Sequence, residues 1–144
     1  MGTSFQVVFD CADPDRLAKF WAPALHYKEQ DPPAGYASWP AFLKARGVPE
    51  TEWNTASAIV DPEKVGPRIY FQQMDTPKPK KNRVHLDLNI SGGGKVAYEE
   101  RVKRVNAEVE RILGLGATKQ RVWEDPGEYW IVLQDPEGNE FCVQ

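Results

Sequence analysis

Cysteine is scarce. Cys11 and Cys142 are the only two in 144 residues, too few for the disulfide framework of a small secreted domain, and a reduced pair is expected. No apolar run approaches the roughly 18 residues that a membrane span needs. Met1 to Asp10 holds no basic segment followed by an apolar one, so no secretion signal is expected and the location reads as cytoplasmic. Positive charge is not in excess either. With 18 Lys and Arg against 21 Asp and Glu the net charge is -3, which argues against non-specific nucleic-acid binding. The one basic run, Lys78-Pro79-Lys80-Lys81-Asn82-Arg83, is broken by proline and reads as a solvated connector. Ser91-Gly92-Gly93-Gly94 lacks the Lys-Ser/Thr ending of a phosphate loop and the spaced glycines of a dinucleotide fingerprint, so it reads as a flexible turn.

What is present is a pattern that occurs twice. Phe5 to Cys11 alternates as a strand, and Asp13-Pro14 supplies an N-cap followed by proline at the first helical position. Leu17, Phe20, Trp21 and Leu25 continue at helical spacing. Residues 28–54 form an irregular insertion in which Trp39 to Arg46 reads as a short helix, ended by Gly47-Val48-Pro49. Thr55 to Val60 and Arg68 to Met74 read as strands. The second half repeats this order: a strand at Val84 to Ile90, a helix from about Lys95 to Leu113, then strands at Thr118 to Val122, Tyr129 to Gln134 and Glu140 to Val143. Ile59-Val60-Asp61-Pro62-Glu63 overlays on Leu133-Gln134-Asp135-Pro136-Glu137, which marks a duplication. The expectation is one α+β domain over residues 1–144, made of two βαβββ modules at about 5–76 (with the insertion 28–54) and about 83–144.

Strand alternation then assigns sides. Val84, Leu86, Leu88 and Ile90 share an apolar face, and His85, Asp87 and Asn89 oppose it. Phe5, Val7, Phe9 and Cys11 form the matching apolar set, so Gln6 is the counterpart of His85. The same reading places Tyr70, Gln72, Glu140 and Cys142 away from the helices. Curved sheets facing one another would form a cleft lined by Gln6, Tyr70, Gln72, His85, Asp87, Glu140 and Cys142, the default form of a small-molecule site. Trp39 and Trp53, in the insertion, either anchor that loop or roof the cleft and stack on a flat ligand.

These residues resemble the vicinal oxygen chelate superfamily, the glyoxalase/bleomycin-resistance/dioxygenase group. The resemblance rests on Val7-Val8-Phe9 leading into Asp13-Pro14-Asp15-Arg16 and Phe20-Trp21, on Lys81-Asn82-Arg83-Val84-His85-Leu86-Asp87-Leu88, and on Asp135-Pro136-Glu137-Gly138-Asn139. It implies curved mixed sheets around a cleft that, in the metalloenzymes of the group, holds a divalent metal on His, Gln and Glu ligands. Here His85 and Gln6 match first-strand ligand positions, but Cys142 stands where a ligand Glu is usual. Glu140 lies one residue pair earlier, and the first module's last strand offers Tyr70 or Gln72. The metal site therefore reads as degenerate and no cofactor is expected. A divalent metal, if one binds, would use Gln6, Gln72, His85 and Glu140. The resulting expectation is a homodimeric small-molecule-binding protein, with ligand or drug sequestration as one form. The alternatives are a lyase, isomerase or dioxygenase with an unorthodox metal or acid–base site, and a scaffold domain with a vestigial cleft.

Overall fold

The structure, a computed structural model, describes residues 1–144. The chain divides into two compact units, Met1–Pro77 and Lys78–Gln144. The first contains β1 (Val7–Cys11), α1 (Pro14–Ala24), β2 (Lys28–Glu29), α2 (Trp39–Ala45), β3 (Ala56–Val60) and β4 (Ile69–Gln73). The second contains β5 (Leu86–Leu88), α3 (Tyr98–Gly114), β6 (Thr118–Asp125), β7 (Glu128–Gln134) and β8 (Glu140–Val143). Each unit has one four-stranded sheet. The orders are β1-β4-β3-β2 and β5-β8-β7-β6, so the two sheets have the same topology. In each, the first and last strands pair in parallel and the other pairs are antiparallel.

The helices form where local chemistry favours them. Asp13 accepts a hydrogen bond from the Arg16 amide at 3.1 Å, and Pro14 follows in the first turn of α1. α1 lies on β3 and β4 and buries Leu17 and Trp21 with Ile59, Ile69 and Phe71. Phe9 extends this core, its ring 5.5 Å from Trp21 and 5.6 Å from Phe71. In the second unit α3 lies on β7 and β8. Val105, Val109 and Ile112 are buried with Ile131, Leu133, Phe141 and Val143. Each fully buried aliphatic or aromatic side chain stabilises the unit by roughly 1.5–3 kcal/mol.

Several elements differ from the sequence reading. β2 lies within the stretch that the sequence presents as an irregular insertion. It has two exposed residues, paired as Lys28↔Val60 and Glu29↔Ile59, too short for an alternation to show. α3 begins at Tyr98 rather than Lys95, because Gly92 and Gly93 adopt positive φ and Gly93–Lys95 forms a 3-10 turn ahead of it. β6 runs on to Asp125, where Pro126-Gly127 turns the chain into β7 with Gly127 at φ 78. Phe5 and Val84, assigned to apolar faces, precede the paired strands and are 73% and 79% exposed.

The turns before β4 and β8 use the same device. Asp61 accepts from the amides of Glu63, Val65 and Gly66 at 2.9, 3.0 and 2.7 Å. These bonds, that of Gly66 foremost, hold its carboxyl below the ordinary carboxylate range. A Cβ at Gly66 would meet the Tyr27 hydroxyl, so any larger residue there would have to displace the Tyr27 side chain. Asp135 accepts from the amides of Glu137 and Asn139 at 2.9 and 3.0 Å and from the Asn139 side chain at 2.9 Å. Asp135 is only 3% exposed, and removing it would strand those donors. We expect Asp135→Ala to lower unfolding stability by about 2–3 kcal/mol, read as a reduced denaturation midpoint at unchanged slope. A midpoint equal to that of the wild type would show that the turn holds without it.

Candidate functional site

The parallel pairing of β5 with β8 fixes the polar side of the second sheet. Leu86 pairs with Phe141, Asp87 with Cys142 and Leu88 with Val143. Phe141 and Val143 are fully buried, so Asp87 and Cys142 stand together on the opposite face. His85 lies one pleat earlier on the same side, with Nε2 3.3 Å from Asp87 Oδ1. The imidazole nitrogen, the carboxylate oxygen and the Cys142 sulfur all lie within 4.8 Å of one another.

Register extends this face across the sheet. Cys142 pairs with Val132, which pairs with Arg121. Glu140 pairs with Gln134, whose side-chain oxygen accepts from Gln120 at 3.0 Å. Trp130 pairs with Trp123, the two rings stacking at 5.7 Å. The Arg121 guanidinium lies 3.5 Å over the Trp123 ring and has no carboxylate partner. The sequence reading did not include Arg121, Trp123 and Trp130. The alternation of β7 could have pointed to Trp130, but the register shift between Lys119 and Arg121 hides the side on which β6 presents its residues.

The expected site residues are distributed as follows. His85, Asp87 and Cys142 form the cluster in the second unit. Glu140 shares their face, but its carboxylate lies 2.6 Å from Lys81 Nζ and its amide donates to Asn82 at 3.2 Å. The basic run before β5 is thus tied onto β8. Gln6, Tyr70 and Gln72 belong to the first unit. Gln6 accepts from Arg68 at 2.9 Å, the same guanidinium lies 5.3 Å over Tyr70, and Gln72 is exposed with its amide 3.9 Å from the Met74 sulfur. Trp39 and Trp53 donate their indole N–H groups to Gln30 and Val48 carbonyls at 2.7 and 3.0 Å, bonds that tie down the insertion.

The paired turns allow the two units to be compared position by position. Ile59 pairs with Ile69 and Ile69 with Val7, as Leu133 pairs with Phe141 and Phe141 with Leu86. Gln6, Val8 and Tyr70 therefore hold in the first unit the positions of His85, Asp87 and Cys142. The donors expected for a divalent metal, should one bind, are Gln6, Gln72, His85 and Glu140, and they are poorly available to it. Their one carboxylate is held by a lysine and one of their amide oxygens by an arginine.

A duplicated βαβββ unit with two open four-stranded mixed sheets defines the glyoxalase/bleomycin-resistance fold. The family model described as a glyoxalase-like domain matches residues 6–144, and the chain belongs to that family. No curated protein matches the sequence. Among solved structures, the fosfomycin resistance protein FosX from Listeria monocytogenes is similar at 12% identity and TM-score 0.62, over 99% of this chain and 92% of that one. A glyoxalase/bleomycin resistance protein/dioxygenase family enzyme from Burkholderia phytofirmans is similar at 16% identity and TM-score 0.60, over 96% and 94%. A variant of the Listeria FosX, at 16% identity and TM-score 0.60 over 100% and 90%, was solved with Mn(II) and a dihydroxypropylphosphonic acid. No helix of this chain is long and apolar enough to cross a membrane.

Burial, together with the Asp87 charge, the thiol's hydrogen bond to Asp87 and the Glu140 charge, pushes the Cys142 thiol up to about 11. At neutral pH it is a protonated donor and a poor nucleophile. Removing the Asp87 charge lowers that value, and each unit of decrease raises the thiolate fraction about tenfold at fixed pH. We expect Asp87→Asn to speed alkylation of Cys142 by roughly three- to tenfold at pH 8, followed by peptide mass spectrometry. A rate no faster than that of the wild type would refute this account of the thiol.

Proposed function

We propose that the protein binds a small organic ligand against the open face of its second sheet. The observation that carries this reading is the Arg121–Trp123–Trp130 stack, which shares that face with the His85–Asp87–Cys142 cluster. Stacked rings offer flat apolar surface, and an arginine without a carboxylate partner offers a planar fork of donors. Their natural complement is a planar molecule bearing a carboxylate or a similar anion. Such binding is compatible with sequestration of a small compound, and proteins named for fosfomycin resistance are among the structural relatives. A homodimer in the cytoplasm completes the reading.

The test is a panel of flat aromatic carboxylates and their neutral methyl esters, followed by thermal shift and tryptophan fluorescence. Carboxylates should raise the midpoint, by an amount set by mass action, and esters less so. Arg121→Ala should abolish the difference between acid and ester, and Trp130→Ala should weaken binding about tenfold. Acids and esters that bind alike in the wild type, or binding indifferent to both substitutions, would sink the proposal.

A second reading, as a lyase, isomerase or dioxygenase, is favoured by the 3.3 Å approach of His85 to Asp87, the geometry of an acid–base pair. It calls for turnover of a vicinal-oxygen substrate that disappears in both His85→Ala and Asp87→Asn.

A further inference from the structure

Arg68 stands immediately before β4 in the first unit, and the burial of Ile69 puts Arg68 and Tyr70 on the opposite, open face of the sheet. Its half-buried guanidinium is fixed from three sides. Nε donates to the Gln30 side-chain oxygen at 2.7 Å, Nη1 donates to that of Gln6 at 2.9 Å, and the cation lies 5.3 Å over the Tyr70 ring. Arg104 and Arg111 are neutralised by Glu100 and Glu108, but the partners of Arg68 carry no charge. Of the carboxylates on this unit's sheet, Asp31 is held by Lys28 at 2.6 Å, and Glu29 pairs with the buried Ile59. Asp10 stands four residues beyond Gln6 along β1, about 13 Å away.

A guanidinium has five N–H donors and accepts nothing. Both glutamines must therefore turn their oxygens to it, and no protein acceptor takes the Nη2 group or either glutamine NH2. The groups left over are donors around a cation, the complement of an oxyanion. On the same face β3 presents Ala58 opposite Tyr70 and Ala56 opposite Gln72, short side chains that leave room beside the phenol ring.

We propose that Arg68, held by Gln6 and Gln30 and backed by Tyr70, is an anion-binding site for a small organic carboxylate or phosphate, separate from the face of the second sheet. The planar fork of the guanidinium matches two oxygens on one centre, which a lysine in its place would not. The glutamines are positioning residues. They hold the fork before the anion arrives, so its ordering does not have to accompany binding. The inference stands on the first unit alone and does not depend on the ligand of the preceding section.

The experiment is titration of the intact ¹⁵N-labelled protein with inorganic phosphate and, separately, with propionate, against sodium chloride at equal ionic strength. The readouts are the Arg68 Nε–H signal and the side-chain NH2 signals of Gln6 and Gln30. Saturable shifts at millimolar phosphate or propionate are expected, the tighter of the two identifying the headgroup, with no comparable shift from chloride. Arg68→Lys, which keeps the charge and loses the fork, should weaken the response of the glutamine signals about tenfold. Gln30→Ala, which leaves Arg68 in place, should weaken it about threefold, and Arg121→Ala should leave it unchanged. Circular dichroism checks that each variant is folded. Four results overturn the proposal: signals that neither oxyanion moves, chloride acting as strongly as phosphate, an Arg68→Lys variant that titrates like the wild type, or loss of the response in Arg121→Ala.

Discussion

The parallel pairing of the first and last strands of each unit is the constraint on which the site depends. It brings Asp87 beside Cys142 although most of the second unit's sequence lies between them. A slip of one residue would turn Cys142 into the helix-facing core and put Phe141 and Val143 on the open face. Phe141 and Val143 are fully buried against α3 and β7, so such a slip would forfeit the burial of both, roughly 1.5–3 kcal/mol for each side chain. The hydrophobic layer beneath the sheet thereby enforces the polar arrangement above it. The chemistry of the open face is held by residues that take no part in it.

Duplication shows how little of the frame the chemistry requires. Both units have the same strand order, the same parallel closure and an aspartate that gathers amides in the turn before the last strand. At the three positions that hold imidazole, carboxylate and thiol in the second unit, the first has an amide, an isopropyl group and a phenol. One backbone therefore carries two open faces with different capacities. The first is occupied by Arg68, which bonds Gln6, Gln30 and the Tyr70 ring. The second leaves Asp87 and Arg121 without opposite charges from lysine, arginine or carboxylate.

Much of this was legible in the sequence, because alternation and turn chemistry are local. The sides of His85, Asp87, Glu140 and Cys142 follow from counting residues along a strand, and the two units follow from the repeated Asp-Pro-Glu. Distance across strands is not local. Counting put His85, Asp87 and Cys142 on one side of the sheet but not which residues on separate strands adjoin; the parallel register sets Asp87 beside Cys142. Likewise, Glu140 reads as a free carboxylate until the connector folds Lys81 onto it. The aromatic stack escaped for a different reason. A bulge resets the alternation of β6, so the side on which Arg121 and Trp123 stand depends on pairing with β7.

The charges left on the second sheet define the kind of molecule that would engage it fully. Lys81 cancels Glu140 at one end of the last strand. This leaves a carboxylate with its imidazole and thiol on β5 and β8, and a guanidinium on β6. Asp87, Cys142, Val132 and Arg121 are successive register partners. At about 4.8 Å per strand, the backbones of the first and last are about 14 Å apart. Val132 lies between them and offers no polar group, while Trp123 and Trp130 supply flat apolar surface one pleat away. A small anion alone could reach only one end of such a row. A ligand able to use both ends would carry an anionic group for Arg121, a planar body for the tryptophans and a polar group directed at the cluster.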